Sequence, residues 1–240
     1  MTQTMTQTMT QTMTPSPSTS RSLAALAVVQ PVLFAVPMIV LGQAIGWPAS
    51  LRLPTSEILP LIHANAGAVA LGYWAYLIVS VALIPLAYAF RHWFTERGHG
   101  GYGLDAATFI GAAAGVLKTL GIVRWLIAMP TLASAHAQTS DPLQRQIIET
   151  VATGINAYGG SIGELLGVQL MSGLWLAFIG IALVRIGRPI VGGIGAIAGA
   201  LFLILCLRTV MPGIDALQMV AVPFALVWFL ILAGTMLRRP

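Results

Sequence analysis

Six long apolar runs constrain this chain more than any other feature of its sequence. They occupy, approximately, residues 23–46, 61–90, 106–133, 162–186, 189–207 and 216–237. Each run is about as long as the ~20 residues that an α-helix needs to cross the hydrocarbon core of a bilayer. None alternates polar and apolar residues as the strands of a membrane β-barrel do, and helices are the other structure that satisfies the backbone in lipid. The sequence therefore predicts an all-α fold, a polytopic integral membrane bundle of about six transmembrane helices.

Composition supports lipid as the solvent and excludes several classes of function. Only 8% of the residues are charged and 57% are hydrophobic, whereas a soluble domain carries about 25% charged residues. The 12 Lys and Arg residues are scattered without a basic stripe, which is not the pattern of a nucleic-acid-binding protein. Cys206 is the single cysteine, so no intrachain disulfide and no cysteine metal cluster can form. We expect the lipid bilayer as partner, no nucleic acid and no cofactor; the oligomeric state stays open.

The first 20 residues are of low complexity, and the unit Met-Thr-Gln-Thr occurs in them three times. We expect this segment to be disordered because it has nothing with which to build a core. Met5, Met9 and Met13 are alternative starts. The run 23–46 is longer than the ~7–15 residues of a signal-peptide core, so we expect it to remain in the mature protein as the first transmembrane helix.

The distribution of arginine between the loops predicts the orientation. If the N-terminus is cytoplasmic, seven arginines lie at inner loops and ends, and three lie in outer loops. The inner ones are Arg21, Arg91, Arg97, Arg185, Arg188, Arg238 and Arg239, and the outer ones are Arg52, Arg145 and Arg208. By the positive-inside rule, we expect both termini to lie in the cytoplasm.

The segment 141–156 has the pattern of a helix. Asp141-Pro142 carries the residues preferred at a helix N-cap and first position. Apolar residues then recur at helical spacing: Leu143, Ile147, Ile148, Val151 and Ile155. We expect an amphipathic helix on the outer side, which is also a candidate lid. Either it lies on the membrane surface, or it extends the fourth transmembrane helix outward with a break at Gly159-Gly160.

Two basic residues lie where lipid normally excludes charge, at a cost of ~2.5–3.5 kcal/mol each near the bilayer centre. Lys118 lies about 18 Å into the third helix, near the midplane. It shares a helix face with Gly111 and Gly115, so we expect it to point into the bundle. Arg124 lies about 9 Å further out and about 120° around the helix. We therefore expect that Lys118 and Arg124 do not both face one narrow site.

Glu164 opens the fourth helix at a depth similar to that of Arg124, on the next antiparallel segment. Three interpretations remain open. Ser161 and Glu164 match a capping box, in which the carboxylate only satisfies the helix start. Glu164 can instead form a structural ion pair with Arg124, because an unpaired buried charge is costly. It can also be a carboxylate that binds a ligand or takes part in catalysis.

Together these residues predict a polar pocket in the outer half of the bundle. We expect four side chains to bind the ligand: His63, Lys118, Arg124 and Glu164. Arg208 and Asp215, at the turn between the fifth and sixth helices, are expected to close the pocket mouth. His63 alone is typical of an interfacial hydrogen-bonding residue, and with His136 it forms a pair of the type that ligates a metal or haem. Because no HExxH or CxxCH motif is present, we expect no metal, and no catalytic residue is identified.

Four motifs in the segment 117–201 resemble a bacterial membrane protein family known as domain of unknown function 4386. They are Arg124-Trp125 with Pro130, Asp141-Pro142, Gly163-Glu164-Leu165-Leu166-Gly167, and Arg188-Pro189 before a Gly/Ala-rich helix. The resemblance implies a multi-pass protein of the bacterial plasma membrane and supplies no activity. Members often have His after the Glu of the third motif, where this chain has Leu165, so a catalytic Glu–His pair is not supported.

Three functions fit these observations. The first is the binding or transport of a small or lipophilic anion, because buried cations suit a carboxylate or phosphate group. The second is a membrane-embedded enzyme that uses Glu164 as acid or base, against which a neighbouring arginine counts. The third is a structural or regulatory membrane partner that binds no ligand.

Overall fold

The computed structural model describes residues 17–211 and 213–237. Within them, six helical stretches are long and apolar enough to cross a membrane: Ser18–Ile45, Ala66–Thr95, Tyr102–Gln138, Pro142–Arg185, Pro189–Thr209 and Ile214–Leu237. No strand occurs among the described residues, which confirms the all-α polytopic bundle. Residues 1–16 of the segment expected to be disordered lie outside the described residues, and residues 17–20 belong to the first helix instead.

The spans are built from helices that we number α1 to α9. Their bounds are α1 Pro17–Ile45, α2 Thr55–Ala64, α3 Ala66–Thr95, α4 Tyr102–Leu126, α5 Ala128–Gln138, α6 Pro142–Gly160, α7 Ser172–Arg185, α8 Pro189–Leu205 and α9 Gln218–Leu237. A π-helical segment, Ser161–Met171, joins α6 to α7. Short 3₁₀ turns at Ala49–Arg52, Cys206–Thr209 and Ile214–Leu217 complete the connections near the site.

Two of the predicted runs are broken, each for a local reason. The second run divides at Asn65 into α2 and α3, because Asn65 Nδ2 donates to the carbonyl of Leu61 over 3.0 Å and satisfies the end of α2. The third run divides at Ile127, where φ is −124°, into α4 and α5. Pro130 explains this break, since it has no N–H to donate and its ring would clash with the carbonyl four residues earlier.

The amphipathic helix predicted from Asp141 is present as α6, and it extends the fourth span. Asp141 caps it by accepting a hydrogen bond of 2.9 Å from the backbone N–H of Leu143. The expected break at Gly159-Gly160 does not occur, because α6 continues through the π-helical segment into α7. Thr55 of α2 donates to the carbonyl of Glu149 over 3.1 Å. Helices α2, α5 and α6 thus form a small layer at one end of the bundle.

The described ends of the chain lie on one side, which we call the terminal face; the opposite side is the distal face. Trp93 Nε1 donates to Ser20 Oγ over 3.2 Å, so the end of α3 meets the start of α1. A guanidinium nitrogen of Arg188 lies 4.0 Å from the sulfur of Met236, so the start of α8 meets the end of α9. The connections α3–α4 and α7–α8 therefore lie on the terminal face.

Two buried clusters fill the bundle. Near the terminal face, aromatic side chains dominate, and the rings of Trp175 and Trp228 meet edge to face with centroids 6.5 Å apart. Near the distal face, the rings of Tyr73 and Trp125 stack 4.9 Å apart and nearly parallel. The polar site lies beside this second cluster, on the distal side.

Candidate functional site

The distal face carries a cavity of about 510 Å³, which we call the distal cavity. The connection α1–α2, the end of α4, the α6–π junction, and the connection from α8 into α9 form its walls. Its charged lining residues are Arg52, Arg124, Arg208, Glu164 and Asp215. Three guanidinium groups against two carboxylates leave a surplus of one positive charge.

Close backbone contact between α4 and the π-helical segment positions the site. A Cβ atom added to Gly163 would lie 2.9 Å from the Cα of Gly121, and one added to Gly167 would lie 2.8 Å from the backbone nitrogen of Lys118. Small residues at four-residue spacing allow such an approach between helices in lipid. The four-residue spacing of Gly159, Gly163 and Gly167 is therefore the feature of the sequence that indicates this contact.

The Arg124 side chain is almost completely buried, with 8% of its surface exposed. Its Nη1 donates to the carbonyl of Gly121 over 2.6 Å and its Nε donates to Asn156 Oδ1 over 3.1 Å. A Cβ atom at Gly159 would lie 2.7 Å from Arg124 Cδ. The glycine pair predicted as a helix break thus provides room for the arginine.

Glu164 joins two arginines. Its Oε1 lies 3.6 Å from Arg124 Nη2, and its Oε2 accepts a hydrogen bond of 3.1 Å from Arg208 Nη1. The capping-box interpretation is contradicted, because Ser161 lies inside a continuous helix and donates to the carbonyl of Ala157 over 2.9 Å. The expected Arg124–Glu164 ion pair is present. Arg208, which was expected at the pocket mouth, forms a second ion pair with the same carboxylate.

Gln169 is a site residue that sequence reasoning missed. With its amide oriented to satisfy its neighbours, its oxygen accepts from Arg208 Nε and Nη1 at 3.3 and 3.2 Å, and its nitrogen donates to the carbonyl of Leu205 over 3.2 Å. Hydrogen bonds in a π-helix link residues five apart, so Glu164 and Gln169 lie nearly above one another. An ideal α-helix would turn them to different faces, and the sequence carries no clear signal for the π-helix.

The opposite wall of the distal cavity holds a looser ion pair. Arg52 Nη2 lies 3.8 Å from Asp215 Oδ1, and 63% of the Arg52 side chain is exposed. The structure thus places Asp215 at the cavity, as expected. Arg52, which was predicted only as a charge of an outer loop, is a further residue of the site.

Lys118 lies deeper in the bundle than the distal cavity, on the side toward the terminal face. It shares a small cavity of about 40 Å³, which we call the neck, with Arg124 and Glu164. The expectation that Lys118 and Arg124 do not face one narrow site is therefore contradicted. Their helix positions differ as expected, but long side chains bend toward a common space. No hydrogen bond or ion pair to the Lys118 amine is found among the described residues.

The structure does not bring the histidines to the distal cavity. His63 lies in the last turn of α2, on an exposed surface, instead of at the start of the second span. The separate α2 helix, which the continuous apolar run concealed, explains the difference. His136 Nε2 lies 2.9 Å from Glu149 Oε1 and links α5 to α6. In the described part of the chain, no group of three or more potential metal ligands is present.

One of three comparisons with known proteins gave a match. Comparison with curated proteins gave no match, and comparison with solved structures gave none either. The family model described as a domain of unknown function, DUF4386, matches residues 23–239. This match extends far beyond the segment 117–201 that carried the resemblance. The chain therefore belongs to the DUF4386 family and is a multi-pass membrane protein, with six helices of membrane-spanning length in the part of the chain that the structure describes.

Proposed function

We propose that this protein binds an anionic ligand in the distal cavity, whose lining carries a surplus of positive charge. A volume of about 510 Å³ lies within the ~300–1,000 Å³ typical of small-molecule sites. From the arginine distribution, we place the distal face outside the plasma membrane of a bacterial cell and both termini in the cytoplasm. The ligand then reaches the cavity from the outer side.

The three arginines of the distal cavity differ in how available their guanidinium groups are to bind a ligand. Arg124 already donates hydrogen bonds to Gly121 and Asn156 and pairs with Glu164. Its role is therefore to position the Glu164 carboxylate. Arg208 is 21% exposed in the cavity wall, and Arg52 is 63% exposed. An exposed ion pair such as Arg52–Asp215 contributes only ~0–1 kcal/mol, and an anion can replace its carboxylate. We therefore place the negative group of the ligand between Arg52 and Arg208.

The geometry favours binding over a continuous transport path in this conformation. The distal cavity narrows to the neck at Lys118. Nearer the terminal face, the fully buried side chains of Trp93, Trp175 and Trp228 fill the bundle. The acid–base alternative is less well supported, because both oxygens of Glu164 already face guanidinium groups.

The proposal is tested by ligand-induced thermal stabilisation of the purified protein in detergent. Inorganic phosphate, sulfate, decanoate and dodecyl phosphate sample small and lipophilic anions. We expect at least one to raise the unfolding temperature, and we expect Arg208→Gln to abolish that rise. Arg145→Gln is the matched control, because Arg145 is an exposed arginine of α6 outside the cavity lining. An equal rise in Arg208→Gln and the native protein would contradict the proposal.

A further inference from the structure

The distal cavity lies at the depth of lipid headgroups. Asp105, near the start of α4, forms an exposed ion pair of 2.7 Å with Arg91, so we place it outside the hydrocarbon core. From Asp105 to Arg124, α4 rises by about 28 Å. Because a hydrocarbon core is about 30 Å thick, Arg124 and the cavity that it lines lie near the opposite boundary, where lipids carry their phosphate groups.

An exposed apolar stripe on α9 begins in the lining of this cavity. Met219 lines the distal cavity and is 66% exposed. Pro223, Leu226 and Leu230 follow it at helical spacing on the same face; we call these four residues the α9 stripe. Pro223 and Leu230 are exposed and Leu226 is half-buried. The stripe rises by about 16 Å toward the terminal face, which is about the depth of one leaflet of the hydrocarbon core.

The charged groups of the lining favour a ligand with one negative charge. Three guanidinium groups against two carboxylates leave a surplus of one positive charge. A phosphodiester carries a single negative charge and balances this surplus, whereas a phosphate monoester carries about 1.5 to 2 negative charges at neutral pH. A zwitterionic lipid has no net charge and leaves the surplus uncompensated.

The cavity also has room for a polar headgroup beside the phosphate. Its volume of about 510 Å³ is larger than a phosphate group alone requires. When a phosphodiester replaces Asp215 at Arg52, the freed carboxylate can accept hydrogen bonds from hydroxyl groups of the ligand. Ser161 and Thr209 add two hydroxyl groups to the lining. A headgroup that carries hydroxyls and no charge, such as glycerol, matches this surface.

We propose that the ligand of the distal cavity is an anionic phosphodiester lipid with an uncharged, hydroxylated headgroup, drawn from the leaflet on the distal side. Its phosphodiester lies between Arg52 and Arg208, and its headgroup fills the rest of the cavity. An acyl chain leaves the cavity past Met219 and lies along the α9 stripe. Phosphatidylglycerol has this chemistry. The inference rests on the anion site proposed above and names the class of its ligand.

The first experiment compares this lipid with its isolated headgroup. Thermal unfolding of the full-length protein in a non-ionic detergent is titrated with dioctanoyl phosphatidylglycerol, with dioctanoyl phosphatidylethanolamine, and with glycerophosphoglycerol, which has the same phosphodiester and no acyl chain. We expect phosphatidylglycerol to raise the unfolding temperature and phosphatidylethanolamine to have little effect. Glycerophosphoglycerol should need a concentration about tenfold higher or more, because each buried methylene of a chain contributes about fourfold in affinity.

Matched variants locate the headgroup and the chain. Arg208→Gln should weaken the binding of phosphatidylglycerol by about tenfold to a hundredfold, through loss of charge-assisted hydrogen bonds, whereas Arg145→Gln should not. Arg52→Gln gives the same test at an exposed ion pair if Arg208→Gln does not fold. Met219→Gln should weaken binding by about fourfold or more. Val220→Gln should not, because Val220 is exposed, lies about 100° around α9 from Met219 and is outside the cavity lining.

The outcomes separate this inference from the anion site itself. If glycerophosphoglycerol binds as well as the lipid and Arg208→Gln abolishes both responses, the anion site stands and the lipid inference is overturned. Equal stabilisation by phosphatidylethanolamine would also overturn it, because the charge argument then fails. An undiminished response of Met219→Gln would exclude the chain path along the α9 stripe and overturn the inference as well. If none of the phosphate compounds stabilises the native protein, the anion site and the inference fail together.

Discussion

Replacing Glu164 with Gln should destabilise the protein, because two arginines then lose their carboxylate. Removing one partner of a fully buried ion pair costs ~3–5 kcal/mol, whereas an exposed pair contributes ~0–1 kcal/mol. The side chains of Arg124, Arg208 and Glu164 are 8%, 21% and 27% exposed, between these limits. Arg124 also keeps its bonds to Gly121 and Asn156. We therefore expect a loss of about 2 kcal/mol, which lowers the unfolding temperature by about 4–8 °C.

The assay is thermal unfolding of the purified variants in the same detergent, followed by tryptophan fluorescence. Glu57→Gln is the matched control, since Glu57 is an exposed glutamate in the first turn of α2. It should lower the unfolding temperature by less than about 4 °C, through loss of a favourable helix-dipole contact worth ~0.3–1 kcal/mol. If Glu164→Gln unfolds at the same temperature as Glu57→Gln, the ion pairs do not hold the site and the reasoning is refuted.

Three further predictions concern packing and topology. Gly163→Ala should lower the unfolding temperature or prevent folding, because its Cβ would lie 2.9 Å from the Cα of Gly121; gel filtration and thermal unfolding measure this. Gly154→Ala should instead stabilise by about 0.5–1 kcal/mol, because nothing lies within 4 Å of its added Cβ. In a Cys206→Ala background, a membrane-impermeant maleimide on intact cells should label Arg145→Cys and not His99→Cys. Labelling of His99→Cys alone would reverse the orientation.

Most of the architecture could be predicted because it follows from length and hydropathy. A run of ~20 apolar residues has few structural options in lipid. The proximity of Arg124 and Glu164 was also predictable, since both lie at similar depth on consecutive antiparallel segments. The helix that starts at Asp141 was recognisable from its N-cap residue and from the proline that follows it.

The remaining site geometry depends on features that periodicity does not contain. The π-helical segment alters which residues share a face, so Glu164 and Gln169 meet Arg208 together. Arg208 is far from Glu164 in the sequence, and whether its side chain reaches Glu164 depends on how α8 ends. His63 was misplaced because one apolar run contained two helices separated at Asn65. Lys118 and Arg124 lie at different angles around α4, but their long, flexible side chains still reach one cavity, the neck.

Native mass spectrometry of the protein purified directly from its membrane tests the central claim most directly. An anion held by Arg208 and Arg52 should appear as a discrete added mass on the native chain and on Arg145→Gln. The same mass should be absent from Arg208→Gln. A native chain that never carries an added mass, or an Arg208→Gln chain that carries it undiminished, would contradict the account.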